Sequence, residues 1–298
     1  MAIFHPGELA IQHRAGFGNA VVPIGQRFIR DTMPEQHQRF FAQLPFVLLG
    51  ALDVQGHPRA GLLAGAPGFL RVPDERHLDV HDYVVAGEGI SEALAPGAQI
   101  GMLGIEAHTR RRNRLNGTIV GAEGGTLSLA VAQSFGNCPK YIQPRHAEWQ
   151  PAAASGAHVT RGWDAAAGRM VAGADTFFIV TAHPDAARPA EASHGVDISH
   201  RGGEAGFVRI DGQTLSVADY PGNRFFNTIG NLELNPLAGL MFIDHVSGEL
   251  LQLAVRAHVE WLPPPDTAPT RPGRTLHFEV LEAERTTGGL PLRWSAAT

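Results

Sequence analysis

Gly65-Ala-Pro-Gly-Phe-Leu-Arg-Val72, followed by Leu78-Asp-Val80 and Asp82-Tyr83, returns later in the chain as Gly203-Glu-Ala-Gly-Phe-Val-Arg-Ile210, followed by Leu215-Ser-Val217 and Asp219-Tyr220. The Gly-Phe pairs are offset by 138 positions (Gly68 to Gly206) and the Asp-Tyr pairs by 137 (Asp82 to Asp219), so one deleted residue in the intervening turn accounts for the difference. Solenoid units run about 20 to 50 residues, and a period this long fits duplication of a whole small domain instead. The likeness extends outward. Phe46-Val-Leu-Leu-Gly-Ala-Leu-Asp53 shares its apolar character with Phe178-Ile-Val-Thr-Ala182, and Ile100-Gly-Met-Leu-Gly-Ile-Glu106 parallels Ala238-Gly-Leu-Met-Phe-Ile-Asp244. Arg114-Leu-Asn-Gly-Thr-Ile-Val120 falls where Gln252-Leu-Ala-Val-Arg-Ala-His258 falls. Order and spacing are shared while the charged residues differ, which points to function specialised in one half or at the seam between them.

The 298 residues, 44% of them hydrophobic, suffice for two cores. A net charge of −5 offers no basic field to a polyanion, so nucleic acid is not an expected partner. No apolar run approaches the roughly 20 residues of a spanning helix, and residues 1 to 30 lack the pattern of a signal peptide; the expectation is a cytoplasmic protein with no membrane partner. The single cysteine, Cys138, excludes an internal disulfide and reads as a buried, inert thiol.

Short β-rich segments bounded by Gly, Pro or Asp predict strands at 44–52, 60–63, 68–72, 77–80, 99–105, 116–120 and 126–131, and again at 176–181, 205–210, 214–217, 239–243, 250–259 and 276–280. Many short strands with frequent turns predict small barrels. Helices are predicted at 34–42, with Thr32 as N-cap, at 90–94 and at 224–234. The fold class expected is mainly β with a few short helices: two tandem split β-barrels paired as an intramolecular pseudo-dimer. The predicted boundaries are an N-terminal extension at 1–37, a first repeat at 38–150, a linker at 151–160 rich in Ala and Gly, and a second repeat at 161–298.

The second half resembles the FMN-binding split barrel of the pyridoxamine 5′-phosphate oxidase superfamily. The residues that carry this are Gly206-Phe-Val-Arg-Ile210, Asp219-Tyr-Pro-Gly-Asn-Arg224, a helix running to Asn235-Pro236, then Ala238-Gly-Leu-Met-Phe-Ile243 and Leu250-Leu-Gln-Leu253. Phe135-Gly-Asn-Cys-Pro-Lys-Tyr-Ile142 and Arg110-Arg-Arg-Asn-Arg-Leu-Asn116 resemble a branch described as predicted flavin-nucleotide-binding proteins. The resemblance implies FMN at the interface of two barrels. It also implies a phosphate site on the strand Asp197-Ile-Ser-His-Arg201, formed by Ser199, His200 and Arg201 with Asn223 and Arg224 at the helix start. The arginine–lysine pair that better-characterised members carry is incomplete here, since the lysine is missing. Tyr220 belongs to the same motif, and Gln252, out of step with its apolar neighbours, is the candidate for the flavin's pyrimidine edge. The repeat offset sets Arg114 opposite Gln252. Arg112, Arg114, Lys140 and Tyr141 of the first half are the candidates to complete the pocket, and Arg293-Trp294 could cover a flavin.

The implied function is an FMN-dependent oxidoreductase with a small-molecule substrate or an electron donor and acceptor as partners, and association of two whole chains into a homodimer stays open. Two other readings stand beside it: a flavin- or haem-binding carrier or sensor without turnover, and a cofactor-free barrel that has lost the site. No residue stands out as catalytic. The fifteen histidines are scattered, without a metal-binding spacing such as His-Glu-x-x-His, so no metal site is expected.

Overall fold

The computed structural model describes residues 2–151, 156–263 and 273–297. Residues 152–155 of the predicted linker and residues 264–272, which follow Pro263, lie outside the described residues. Three helices open the chain, α1 (Pro6–Arg14), α2 (Val22–Phe28) and α3 (Glu35–Ala42). The first half then folds as eight strands, β1 (Phe46–Leu52), β2 (Pro58–Ala64), β3 (Leu70–Asp74), β4 (His77–His81), β5 (Val84–Ala86), β6 (Gln99–Glu106), β7 (Arg111–Glu123) and β8 (Thr126–Gly136). One turn of helix, α4 (Ile90–Ala93), lies between β5 and β6. The strands form one antiparallel curled sheet in the order β3-β4-β8-β7-β6-β1-β2-β5.

The second half contains β10 (His158–Arg161), α5 (Ala165–Gly173), β11 (Thr176–Ala182), β12 (Val196–Gly202), β13 (Arg209–Asp211), β14 (Thr214–Ala218), α6 (Asn227–Leu234), β15 (Leu237–Ile243), β16 (Leu250–Leu262) and β17 (Gly273–Thr287). Its sheet runs β12-β11-β15-β16-β17-β14-β13, with β10 added alongside β17. A separate ribbon pairs β9 (Arg145–Trp149), which follows the first half, with the closing strand β18 (Leu292–Ala296). The chain is thus mainly β, folded as two tandem split barrels.

Register makes the duplication quantitative. Leu103 pairs with Arg114 across β6 and β7, and Met241 pairs with Gln252 across β15 and β16, both members shifted by the same 138 positions. Each barrel has its own apolar core, one around Phe41, Leu49, Leu78, Met102 and Leu129, the other around Phe177, Ile179, Leu240, Phe242 and Phe278. A third cluster belongs to the seam, where Leu48, Leu62 and Leu103 of the first half pack on Phe178, Val180, Ile198 and Met241 of the second. Burying each such side chain contributes about 1.5 to 3 kcal/mol before conformational entropy is subtracted, which is what holds the halves together. Glycines at equivalent positions permit the approach: a Cβ on Gly101 would stand 2.6 Å from Val196 O, and one on Gly239 would stand 2.5 Å from Pro58 O.

The N-terminal helices are legible only in retrospect. The side of α1 that is buried presents Gly7, Glu8, Ile11 and Gln12, so the helix has no apolar stripe to betray it. It crosses α6 where two glycines meet; a Cβ on Gly7 would lie 2.3 Å from Gly230 O. Helix α3 starts at Glu35 behind Pro34, and Thr32 does not cap it. Helix α6 starts at Asn227 rather than at Arg224, because Arg224 (φ 70°) and Phe226 (φ 63°) sit in the left-handed region. The strand expected at 205–210 is confined to Arg209–Asp211.

Candidate functional site at the seam

Between the halves lies a cavity of about 660 Å³, within the range of small-molecule sites. Strand β7 contributes Arg112 and Arg114, and the turn after β8 contributes Asn137 and Cys138. The second half supplies Ser199, His200 and Arg201 from β12, the run Asp219–Arg224, and Phe226 through Ile229 at the start of α6. Arg274 from β17 and Phe17 from the N-terminal segment complete much of the wall.

A buried carboxylate, Asp197, organises one side. Its Oδ1 accepts from Arg114 Nη1 (2.8 Å) and Asn116 Nδ2 (2.9 Å), and its Oδ2 accepts from Asn231 Nδ2 (3.0 Å). Arg114 also donates to Ser199 Oγ, which in turn accepts from Thr228 Oγ1 at 3.1 Å. The network ties β7 of the first half to β12 and α6 of the second. Burial lowers the pKa of Arg114, and the Asp197 charge works against that shift. A second carboxylate, Asp219, is shared between Arg201 Nη1 (2.7 Å) and Arg274 Nε (2.8 Å).

Arg112 is different. Among the described residues its guanidinium has no ion pair and no side-chain hydrogen bond, and its Nε is buried without a partner. Burial first, then the charges of Arg114 and Arg201, lower its pKa from 12.5 to about 10. Other donors and acceptors are also unmatched around the cavity: Arg114 Nε, Arg201 Nε, His200 Nδ1 and Asn137 Nδ2. Buried polar groups are normally paired, so this concentration marks the cavity as the candidate site. His200 is held well below the ordinary histidine pKa by burial and by the nearby Arg112 and Arg201 charges, so its imidazole is neutral at pH 7. The lining also stores backbone strain. Arg224 and Phe226 lie in the cavity wall and Tyr141 at its rim, and these are three of the five non-glycine residues with positive φ among the described residues.

Eight of the eleven residues singled out in the sequence line this cavity: Arg112, Arg114, Ser199, His200, Arg201, Tyr220, Asn223 and Arg224. Tyr141 stands at the rim, its ring stacked on Tyr220 from the other half (centroids 5.1 Å apart, planes at 25°). Lys140 is exposed and outside the lining. Gln252 corrects the expectation most plainly. It is buried away from this cavity, its Nε2 donating to Ala60 O (2.7 Å) and Glu88 O (3.2 Å) and its Oε1 accepting from Glu88 N (2.6 Å). Its polar side chain amid apolar neighbours answers to backbone of the opposite half. Arg201 and Arg224 are likewise partly engaged, the first by Asp219, the second over the Phe17 ring at 4.9 Å. Trp294 is placed in the β9–β18 ribbon, edge-on to His245 (5.1 Å, 87°), and Cys138 is a half-buried thiol in the cavity wall rather than a core residue. The sequence reading missed Asp197, Asn231, Arg274 and Phe17, whose roles depend on which strands and helices meet.

The pseudo-twofold explains why one site is open and its twin is not. Register equates Ser199, His200 and Arg201 with Gly61, Leu62 and Leu63, and equates Arg112 and Arg114 with Leu250 and Gln252. The polar set in one copy is apolar in the other except at Gln252. In addition, β5 pairs with the outer edge of β2, whereas β12, the counterpart of β2, is an edge strand. Gln252 closes the twin position by bonding to β2 and to the chain just after β5.

No protein-family model matches the chain, and no curated protein matches it. Solved structures do. A FAD-binding protein from Mesorhizobium loti is similar over 44% of this chain and 98% of its own, with 11% identity and a TM-score of 0.30. A candidate pyridoxamine 5′-phosphate oxidase from Corynebacterium glutamicum is similar over 44% of this chain and 95% of its own, with 13% identity and a TM-score of 0.29. The haem storage protein HutZ from Vibrio cholerae is similar over 39% of this chain and 89% of its own, with 10% identity and a TM-score of 0.28. The solved structures that this chain resembles thus include flavin-binding, pyridoxamine 5′-phosphate oxidase-like and haem-storing proteins, each matched to less than half of its length.

Proposed function

We propose that the seam cavity binds one FMN per chain and that the protein is an FMN-dependent oxidoreductase acting on a small-molecule donor or acceptor. The observation that carries this reading is Arg112, a cation in the wall of a polar cavity with no anion paired to it among the described residues. A phosphate there would accept charge-assisted hydrogen bonds from the guanidinium and lie near the first amides of α6, whose N-cap Phe226 offers no side-chain partner. The aromatic rings of Phe17, Tyr220 and Phe226 suit a planar ring, and Arg114 Nε, Arg201 Nε and Asn137 Nδ2 suit its carbonyl edge. When bound, FMN supplies the electron or hydride transfer. The chain positions and neutralises. Its one carboxylate among the described lining residues, Asp219, is committed to two arginines, which leaves the neutral His200 as the group able to exchange a proton at Nδ1.

His200 also supports a second reading, in which a neutral imidazole in the cavity lining ligates haem iron and the protein carries or senses haem. The absorption spectrum after reconstitution separates the two, with bound flavin absorbing at about 450 nm and haem at about 400 nm. The expected result is one FMN per chain, released on heat denaturation, with a raised melting temperature in excess FMN. Absence of both bound flavin and thermal stabilisation overturns the reading. Two flavins per chain would contradict the closed twin position.

A further inference from the structure

Fifteen histidines look scattered along the sequence, but the fold gathers some of them outside the lining of the seam cavity. His183 follows β11, Asp185 lies in the next turn, and His194 ends a 3-10 turn (Ala192–His194) before β12. One ligand atom from each of the three lies within 4.8 Å of the others. His183 is buried, Asp185 is exposed and His194 is intermediate, so the group is anchored on one side and open to solvent on the other. We propose that His183, Asp185 and His194 form a binding site for one divalent transition-metal ion of the zinc class.

The chemistry of the donors fits such an ion. Two imidazoles and a carboxylate are the ligand set of zinc sites that keep a fourth position for water, with Zn–N and Zn–O distances of about 2.0 to 2.2 Å. His183 Nδ1 directs its lone pair to the Asp185 side, where it accepts from Asp185 N at 3.1 Å and stands 3.8 Å from Asp185 Oδ2; an ion bound at Nδ1 replaces that backbone hydrogen bond. Ligand atoms on a tetrahedral ion are about 3.3 to 3.5 Å apart, so the carboxylate needs to move by only a few tenths of an ångström. His194 Nδ1 is buried without a partner. A third imidazole, His5 at the start of α1, lies edge-on to His183 (centroids 5.1 Å, 72°), with its Nε2 3.6 Å from Glu8 Oε2.

The His183 and His194 rings are stacked, 4.0 Å apart and 8° from parallel. Lone pairs lie in the ring planes, so those of stacked rings run side by side and do not converge. Capture of the ion therefore requires His194 to turn, and its short turn, partly open to solvent, leaves room for this. Binding the ion thus replaces the stacking of the two rings with coordination.

The test is Zn2+ and Co2+ titration of the full chain, with calorimetry for stoichiometry and Co2+ visible absorption for coordination. The expected result is one high-affinity equivalent, four-coordinate by its Co2+ spectrum, weakened at least tenfold in His194→Gln and in Asp185→Asn. Asp185 is exposed, so the second variant keeps the fold and serves if His194→Gln does not. His108→Gln is the control, because His108 stacks on His146 (4.4 Å) elsewhere on the surface and would reveal adventitious binding there. The proposal is overturned if the wild-type chain binds no ion below about 100 µM, a weak-affinity limit near −5 kcal/mol. It is equally overturned if Asp185→Asn and His194→Gln bind as the wild type does, or if only His108→Gln loses the ion.

Discussion

Arg112→Leu separates the cost of an unpaired cation from its use, because leucine is what the protein itself carries at the equivalent position, Leu250. In the ligand-free chain Arg112 has no anion, and its pKa falls from 12.5 to about 10. A shift of that size corresponds to about 3 kcal/mol, and discounting for the solvent that still reaches this half-buried group leaves about 2 kcal/mol. Removing the charge should therefore stabilise the ligand-free protein by about 1 to 2 kcal/mol, a rise in melting temperature of about 2 to 6 °C for a chain of this length. The same substitution deletes a charge-assisted contact to phosphate worth about 1.5 to 3 kcal/mol, so FMN should bind about ten- to a hundredfold more weakly. Riboflavin has no phosphate and should bind within about threefold of wild type, a difference of well under 1 kcal/mol. Calorimetry with both ligands and a thermal scan of the ligand-free protein give the three numbers. Equal losses for FMN and riboflavin would refute the phosphate role, and a destabilised ligand-free protein would refute the claim that Arg112 is held without a partner.

Further outcomes follow from other parts of the molecule. Cys138, the single cysteine, lies in the cavity wall, so its alkylation by iodoacetamide, followed by mass spectrometry, should slow at least tenfold in saturating FMN; an unchanged rate would place the ligand elsewhere. Gly101→Val and Gly239→Val should each destabilise by about 3 kcal/mol or more in urea melts, since each pushes a side chain into backbone of the opposite half, whereas Gly56→Val, in open space, should cost about 1 to 2 kcal/mol from its positive φ alone. Burial, then the Arg145 charge, lowers the pKa of His245 from 6.5 to about 4. The unfolded chain therefore binds a proton that the folded chain refuses between those values, and stability falls as pH drops from about 6.5 to about 4, by about 3 kcal/mol for this group. Denaturant melts of His245→Gln across that range should show a shallower acid slope than wild type, and an identical slope would remove His245 from the account.

The duplicated unit and the barrel strands were legible because they rest on local pattern. Gly68-Phe69 and Gly206-Phe207 recur at a fixed offset, and most strands alternate or run apolar between turn residues. What the sequence concealed depends on partners far along the chain. Helix α1 hides because its buried side is Gly7, Glu8 and Gln12 against α6, so no period of 3.6 in hydrophobicity marks it. Gln252 stood out as a polar residue in an apolar strand, but its partners are backbone atoms of Ala60 and Glu88, about 160 to 190 positions away. Arg112 was visible only as one of four arginines in a run of five. Which of them faces the cavity follows from the pairing of β7 with β6, where Ile105 lies opposite Arg112 and Leu103 opposite Arg114. Arg201 looked like the phosphate anchor on motif grounds, and the structure gives it Asp219.

The fusion of two barrels has a consequence for how this protein can change. In a dimer of identical subunits every substitution is made twice, so a residue that improves the interface in one ligand pocket is imposed on the other, and neither pocket can be given up alone. Here each position is written once. Leu250, Gln252, Leu62 and Leu63 could become packing material while Arg112, Arg114, His200 and Arg201 kept their polar chemistry, without either choice constraining the other. The closed twin thus acts as a rigid wall behind the open pocket. Stability and ligand chemistry, which compete for the same residues in a symmetric pair, are assigned to different copies of one ancestral surface.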